Sequence, residues 1–158
     1  MNPTRNDIPV KTREKLVTLL NARLADATDL KSQVKQAHWN LKGPQFLQLH
    51  ELFDDIAGQL ETQIDDIAER AVQLGGVAQG TIRLAAKASS LSEYPSGLTD
   101  GLAHAAAVAD QLAAFGAALR EAIDKADKLG DADTADMFTG FSRAADKNLW
   151  FVEAHLQS

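Results

Sequence analysis

Residues 50–69, HELFDDIAGQLETQIDDIAE, are the stretch on which the fold and the candidate site of this chain depend. Their apolar side chains recur at steps of three and four residues, with no proline and a single glycine, which predicts one continuous helix. The apolar positions are Leu52, Phe53, Ile56, Leu60, Ile64, Ile67 and Ala68. This spacing predicts that one side of the helix packs into a core, while the polar residues form the other side.

The same helix carries two pairs of potential metal ligands, His50 with Asp54 and Asp65 with Glu69. A spacing of four residues puts both members of a pair on one helix face, one turn apart. Measured around the helix axis from His50, Asp54 lies near ~40°, Asp65 near ~60° and Glu69 near ~100°. All four therefore lie on one stripe, together with Glu61, which is either a spare ligand or a solvated acid.

Distance along the helix prevents both pairs from binding one metal ion within a single chain. Asp54 and Asp65 are separated by about 16 Å at ~1.5 Å per residue, whereas metal ligands lie about 2.0–2.3 Å from the ion. Two antiparallel copies of the helix, related by a two-fold axis near Gln59, can bring one pair from each copy together. Gly58 would let the two backbones approach. The stretch predicts a dimer with two equivalent shared metal sites; the alternative is an amphipathic helix with a solvated acidic face.

Composition restricts the class of protein. A chain of 158 residues is expected to form one domain, and its 45% apolar content with few aromatic residues suits an all-helical fold. The absence of cysteine excludes disulfides and thiolate metal sites. No apolar run approaches the roughly 18 residues of a membrane span and no signal segment is visible, so we expect a cytoplasmic protein without a membrane partner. A net charge of −6 disfavours nucleic acid as the main partner.

The first part of the chain predicts a helical hairpin. A short loose tail over residues 1–8 precedes a single domain over residues 9–158. Apolar periodicity predicts helices over residues 9–40 and 45–74. The first is ended by glycine and proline at residues 43 and 44, and the second by the glycines at residues 75 and 76. Arg23 interrupts the first apolar track and is expected to reach water along its apolar stem. The short turn between the helices predicts that they run antiparallel.

The second part predicts a long crossover and two more long helices. The connection after the second helix includes a short helix within residues 81–89. An alanine-rich third helix follows over residues 99–129. The fourth begins at Asp131 to Asp133, where acids suit the positive end of a helix dipole, and continues to about residue 156. The predicted fold is an all-α, four-helix bundle of the ferritin-like type, with a short helix in the crossover between helices 2 and 3.

The hairpin adds a ligand that the second helix alone does not reveal. His38 lies about one turn before the first helix ends, and His50 lies just after the second begins. Both histidines are therefore neighbours at one hairpin tip. We predict that His38 joins His50 and Asp54 as a third ligand of the same half-site.

Several motifs resemble those of one family. KQAHWN at residues 35–40, LKGPQF at 41–46, His50-x-x-x-Asp54 and DDIAERAVQLGG at 65–76 resemble the Dps proteins, the mini-ferritins also called DNA-binding proteins from starved cells. The later segments DADTADM and DKNLWF are similar as well, so the resemblance covers nearly the whole chain.

That resemblance implies a four-helix subunit assembled from two-fold dimers into a hollow shell of twelve. It implies ferroxidase sites at the dimer interface, with His38, His50 and Asp54 from one subunit and Asp65 and Glu69 from its partner. Such a protein oxidises Fe(II), with hydrogen peroxide as the oxidant, and stores the ferric mineral in its cavity. The implied role is iron storage and detoxification, which protects against oxidative damage.

Other residues have roles that the resemblance or simple packing suggests. Trp39, next to His38, is either an electron donor near the iron, as the family suggests, or a core or interface residue. Trp150 is expected to pack, and His104 and His155 are expected to be ordinary surface or bundle histidines.

Three acids cluster at the start of the fourth helix, namely Asp131, Asp133 and Asp136. Helix capping explains one or two of them. The family also uses acids in this region to line three-fold pores through which iron enters. Asp136 matches that role best.

Two alternative functions remain open. The first is a DNA-compacting, nucleoid-associated shell with secondary iron binding. Dps-type DNA binding usually needs a lysine-rich tail, whereas residues 1–12 contain only Arg5 and Lys11 against Asp7, so weak or absent DNA binding is expected. The second is a shell whose metal sites are idle or filled with zinc.

Overall fold

The structure, a computed structural model, describes residues 1–157 and contains five helices. They are α1 (Val10–Asn40), α2 (Phe46–Gln73), α3 (Ile82–Ala88), α4 (Gly101–Lys128) and α5 (Ala132–Glu153). No strand occurs in this part of the chain. The predicted all-α bundle, with a short helix in the crossover between its second and third long helices, is confirmed.

Two helix pairs form the bundle. Most of α1 packs along α2, most of α4 packs along α5, and contacts between α1 and α4 join the pairs. Phe53, Phe115 and Phe138 come from three different helices and are fully buried in one shared core. Because burying such a side chain contributes about 1.5–3 kcal/mol, this core is the main force that holds the two pairs together.

Polar side chains on one face of α1 fasten the crossover to the bundle. Oδ1 of Asp26 accepts hydrogen bonds from the backbone N of Ser90 at 2.7 Å and from its hydroxyl at 3.0 Å. Three residues further along, Oδ2 of Asp29 accepts from the hydroxyl of Ser89 at 2.6 Å. These bonds fix where the crossover leaves α3, so the chain has a defined route to the start of α4.

The prediction that Arg23 reaches water is wrong, because Arg23 is only 9% exposed. Its Nη2 lies 2.8 Å from Oδ2 of Asp26, and its Nη1 donates to the carbonyl oxygen of Ala118 at 2.9 Å. Asp26 is itself fully buried, and a buried carboxylate requires a nearby cation and hydrogen-bond donors. Arg23, the charged residue in the apolar track of α1, therefore neutralises the buried carboxylate of Asp26.

The first eight residues form no helix, and hydrogen bonds join this segment and the start of α1 to the end of α2. The backbone N of Asn2 donates to the carbonyl oxygen of Gly75 at 2.6 Å. Nη1 of Arg13 donates to the carbonyl oxygen of Leu74 at 2.9 Å. Gly75, two residues after the end of α2, has a φ of +84°, a conformation that favours glycine.

By length and composition, α4 is the one helix in residues 1–157 that could cross a membrane, with a mean hydropathy of 1.3 over 18 residues. A core helix of a helical bundle meets the same criteria, so α4 does not contradict the expectation of a protein without a membrane partner. Within the bundle, 56% of that window is buried, chiefly against α5 and α1. Its apolar composition is explained by its position in the core.

The start of α4 lies directly against the turn between α1 and α2. A Cβ atom built at Gly101 would lie 2.6 Å from the carbonyl oxygen of Lys42 and 3.7 Å from Cδ1 of Leu49. The first distance is shorter than a carbon and an oxygen can approach without moving the backbone. Gly101 is therefore the residue that lets the crossover return to the hairpin tip.

We expect Gly101→Ala to lower the free energy of unfolding by about 1–3 kcal/mol, because the added methyl group overpacks against the backbone of Lys42. Gly140→Ala is the matched control, since a Cβ at Gly140 meets nothing within 4 Å. The control should be neutral or stabilise by about 0.5–1 kcal/mol, as alanine favours helix. Thermal unfolding followed by circular dichroism measures both. Equal effects from the two substitutions would show that the contact at Gly101 is not tight.

Candidate metal centre

The hairpin tip brings two histidines from different helices into direct contact. His38 lies in the last turn of α1 and His50 in the second turn of α2. Their rings stack with centroids 3.7 Å apart and an angle of 18° between planes. Phe46 stacks against His50 with centroids 5.1 Å apart. The predicted proximity of the two histidines is therefore present in a single chain.

Reciprocal hydrogen bonds orient both imidazole rings. Nδ1 of His38 lies 2.8 Å from the carbonyl oxygen of His50, and Nδ1 of His50 lies 3.0 Å from the carbonyl oxygen of His38. A carbonyl oxygen can only accept, so each Nδ1 carries the hydrogen. In a neutral ring the lone pair is then on Nε2, which is the arrangement of metal-binding histidines whose other nitrogen is held by a carbonyl.

Asp54 is the third member of this half-site and is largely exposed. Its Oδ1 lies 4.0 Å from Nε2 of His38 and accepts a hydrogen bond from Nζ of Lys35 at 2.6 Å. The hydrogen bond and positive charge of Lys35, and then the charges of the two histidines, lower the pKa of Asp54 below its usual 3.8. Asp54 is therefore ionised at neutral pH, with Lys35 in the position of a competing cation.

The second pair of acids, Asp65 and Glu69, is exposed on the same helix. Glu61, which lies between the two half-sites, forms an ion pair with Lys31. Within residues 1–157, no three histidine, cysteine or acidic side chains lie close enough to hold one metal ion. The assignment of Asp65 and Glu69 to a site completed by a second copy remains a prediction.

The interior of the bundle offers no alternative centre among the described residues. Its two buried carboxylates are Asp26 and Asp131, and each is paired with an arginine. A carboxylate that already neutralises a buried guanidinium cannot bind a cation without leaving that charge unpaired. The remaining candidate ligands are therefore the buried His38 and the residues along the solvent-facing side of α2.

Trp39 is not a core residue of this chain, because 67% of its surface is exposed. Nζ of Lys35 lies 5.8 Å from the centroid of its indole ring, within the range of a cation–π contact. This excludes packing within the bundle, while an interface role and an electron-donor role remain predictions. Trp150, expected to pack, is also 62% exposed.

The three acids proposed for an iron pore differ in how deeply they are buried. Asp131 is buried; it caps α5 through the backbone N of Thr134 and pairs with Nη2 of Arg70 at 2.8 Å. Burial alone would raise the pKa of Asp131, but the hydrogen bonds from Thr134 and Arg70 together lower it. Asp133 and Asp136 are exposed. The carboxylate of Asp131 is thus occupied within its own chain, which leaves the other two as pore candidates.

Lys35 and Phe46 are the contacts of this site that sequence reasoning missed. Lys35 precedes His38 by three residues and therefore shares its helix face, a signal that was available in the sequence. Phe46 precedes His50 by four residues and had the same signal. Neither side chain is a metal ligand, so a search of the sequence for ligand spacing does not find them.

Comparisons with known proteins agree with the fold. A family model for the ferritin-like domain matches residues 17–158. The DNA protection during starvation protein of Agrobacterium fabrum is 44% identical over 154 residues, which are 98% of this chain and 95% of that protein. The structure of Mycobacterium smegmatis Dps superposes with a TM-score of 0.94 at 29% identity, covering 99% of this chain and 96% of the other.

The Dps protein from Vibrio cholerae O1, described as a member of a broad superfamily of ferritin-like diiron-carboxylate proteins, matches with a TM-score of 0.90 at 25% identity. The match covers 99% of this chain and 98% of the other. The fold and the match to the ferritin-like family model thus define a ferritin-like bundle. Within that class, the chain belongs to the Dps family of mini-ferritins. Membership of this family supports iron binding and an iron-storage role.

We expect Lys35→Gln to tighten Fe(II) binding several-fold, because it removes the cation that competes for Asp54. Exposed ion pairs are weak, so this competition is modest. Anaerobic titration calorimetry measures the affinity. Lys31→Gln is the matched control, since it makes the same change of charge one turn away and contacts Glu61 instead. Equal tightening by both variants would indicate a general effect of charge and contradict the specific role of Lys35.

Proposed function

We propose that this protein is a ferroxidase that stores iron, with each iron centre assembled from two subunits. The observation that carries the proposal is the orientation of His38 and His50, whose Nδ1 atoms are bound to carbonyl oxygens so that Nε2 is free on each ring. Together with the ionised carboxylate of Asp54, they form a preorganised half-site. Asp65 and Glu69 of a second copy would complete it.

The ligand types suit Fe(II) as the substrate. Imidazole nitrogen and carboxylate oxygen bind Fe(II) well, and the chain has no cysteine that would favour softer metals. Carboxylates also neutralise the additional charge of Fe(III), so they favour its formation. The donor set is therefore matched to an ion that gains positive charge during the reaction.

Two-fold pairing is supported by the exposed surface of α2. The stripe that carries both half-sites faces away from the core, and a Cβ built at its central Gly58 would meet nothing within 4 Å. Pairing one patch with itself is the geometry of a two-fold dimer. Antiparallel contact near Gln59 would bring the histidine end of one copy to the Asp65 end of the other.

The side chains at the tip would bind and orient Fe(II) without large rearrangement. The rings of His38 and His50 are already fixed by stacking and hydrogen bonds, and Asp54 is already ionised. Lys35 would move away as the cation enters. With hydrogen peroxide as oxidant, two Fe(II) ions supply both electrons needed to reduce it to water, so no hydroxyl radical is released.

We extend the proposal to the assembly and the cell. Twelve subunits built from two-fold dimers would enclose a cavity for ferric mineral, and Asp133 and Asp136 would line the entry for iron. The negative net charge of −6 per chain attracts cations. A cytoplasmic location fits the bacterial relatives in which the family is found.

The shared centre predicts complementation between two inactive variants. His50→Ala with Asp54→Ala disables one half-site, and Asp65→Ala with Glu69→Ala disables the other, so each double variant should lose rapid oxidation. Dissociated together and reassembled at random, they should regain about one quarter of native activity, since half the dimers are mixed and one of the two sites in each is intact. Ferric absorbance after anaerobic Fe(II) loading and peroxide addition measures the rate.

Each variant reassembled with itself is the control and should stay inactive. Absence of recovery in the mixture, with assembly intact by particle mass, would contradict a shared centre. Native rates in either double variant would contradict the ligand assignment. Failure of the native protein to form Fe(III) would favour idle or zinc-filled sites.

DNA binding is expected to be weak. The N-terminal segment contains few basic residues, and part of it is bound to the end of α2 through Asn2. A gel shift at about 150 mM salt should retain no DNA, while lowering the salt should reveal any residual electrostatic binding. Tight binding at the higher salt would favour the DNA-compacting alternative.

A further inference from the structure

Tyr94 in the crossover and His104 at the start of α4 form a hydrogen-bonded pair. The hydroxyl oxygen of Tyr94 is 2.6 Å from Nδ1 of His104, and Nε2 of His104 is 3.2 Å from the carbonyl oxygen of Leu98. His104 is 2% exposed, and Tyr94 is half-buried against the core. Tyr94 is the only tyrosine in the chain. The expectation that His104 is an ordinary bundle histidine does not account for this short bond.

The hydrogen-bond pattern fixes the direction of the bond between the two rings. Leu98 offers a carbonyl oxygen, which can only accept, so Nε2 of His104 carries a hydrogen. In the neutral ring Nδ1 is then an acceptor, and the phenol of Tyr94 donates to it. Burial raises the pKa of Tyr94 to about 12 and lowers the pKa of His104. Near neutral pH the pair is therefore uncharged, with the proton on the phenol.

The pair lies at the same end of the bundle as the candidate iron centre. His104 is one turn from Gly101, and Gly101 lies against the carbonyl of Lys42 and the side chain of Leu49. Leu49 immediately precedes His50 in α2. The first turn of α4 therefore connects the tyrosine–histidine pair to the hairpin tip through buried contacts.

We propose that Tyr94 donates an electron to oxidising equivalents produced at the iron centre, while its phenolic proton moves to Nδ1 of His104. This inference rests on the proposed function. Packing alone does not require the hydroxyl group of Tyr94, since phenylalanine would fill the same space, and the proposed step gives that group a role. A histidine within hydrogen-bond distance is a suitable acceptor for the proton, because the proton moves along a bond that already exists.

The step is needed when a centre holds a single Fe(II). One Fe(II) gives one electron to hydrogen peroxide, whose O–O bond breaks to form hydroxide and a hydroxyl radical. Tyr94 supplies the second electron, which reduces the radical to hydroxide. Its O–H bond breaks and an N–H bond forms on His104, so the products are Fe(III), two hydroxide ions, a neutral tyrosyl radical and an imidazolium ion.

Freeze-quench electron paramagnetic resonance tests the proposal on the assembled native protein. One Fe(II) per centre is loaded anaerobically and mixed with hydrogen peroxide, and ferric absorbance is recorded in parallel. We expect a tyrosyl radical whose spectrum narrows when the protein contains ring-deuterated tyrosine. Because the chain has one tyrosine, this label assigns the radical to Tyr94 without any substitution.

Two variants test the role of each partner. Tyr94→Phe should abolish the radical and increase spin-trapped hydroxyl radical several-fold, while the ferric rate with excess Fe(II) stays native. His104→Asn should lower the radical yield, because the phenolic proton loses its acceptor. Fe(III) formation without a radical, or with a radical insensitive to deuterated tyrosine, as from Trp39, would overturn this inference alone. Absence of Fe(III) formation would instead overturn the proposed function.

Discussion

The reciprocal hydrogen bonds between His38 and His50 are the interaction on which the candidate site depends. Each Nδ1 is bound to the backbone carbonyl of the other residue, so the ends of α1 and α2 fix the orientation of both rings. The same bonds leave Nε2 of each ring available to a metal ion. This pair of contacts therefore joins the ends of the two helices and places a hydrogen on Nδ1 of each ring, and a change in the turn would alter both.

A second constraint is the length of α2 compared with the reach of metal coordination. The two ligand pairs lie on one stripe but are separated by about three helical turns, far more than a metal–ligand distance. The interior cannot substitute for the missing ligands, because its buried carboxylates are held by Arg23 and Arg70. Among residues 1–157, the candidate ligands therefore lie at the hairpin tip and along the solvent-facing side of α2 and not in the core, an arrangement that suits assembly of identical subunits.

Much of the fold and of the candidate site could be predicted from the sequence, because helical periodicity and four-residue spacing indicate directly which residues share a helix face. The helix bounds and the meeting of His38 with His50 follow from such local signals. The paired roles of Arg23 with Asp26 and of Arg70 with Asp131 could not, since they join residues whose relation depends on how the helices pack. The bond between Tyr94 and His104 depends in the same way on the route of the crossover. The contact of Lys35 with Asp54 depends on the packing of α1 against α2, although the three-residue spacing of Lys35 from His38 already places both on one helix face.

The most direct test of the central claim is anomalous diffraction from crystals of the assembly loaded anaerobically with Fe(II). The account predicts iron within about 2.0–2.3 Å of Nε2 of His38 or His50 and, at the same peak, a carboxylate oxygen of Asp65 or Glu69 of the partner subunit. Iron bound only by residues of one chain, or located away from the hairpin tip, would contradict it.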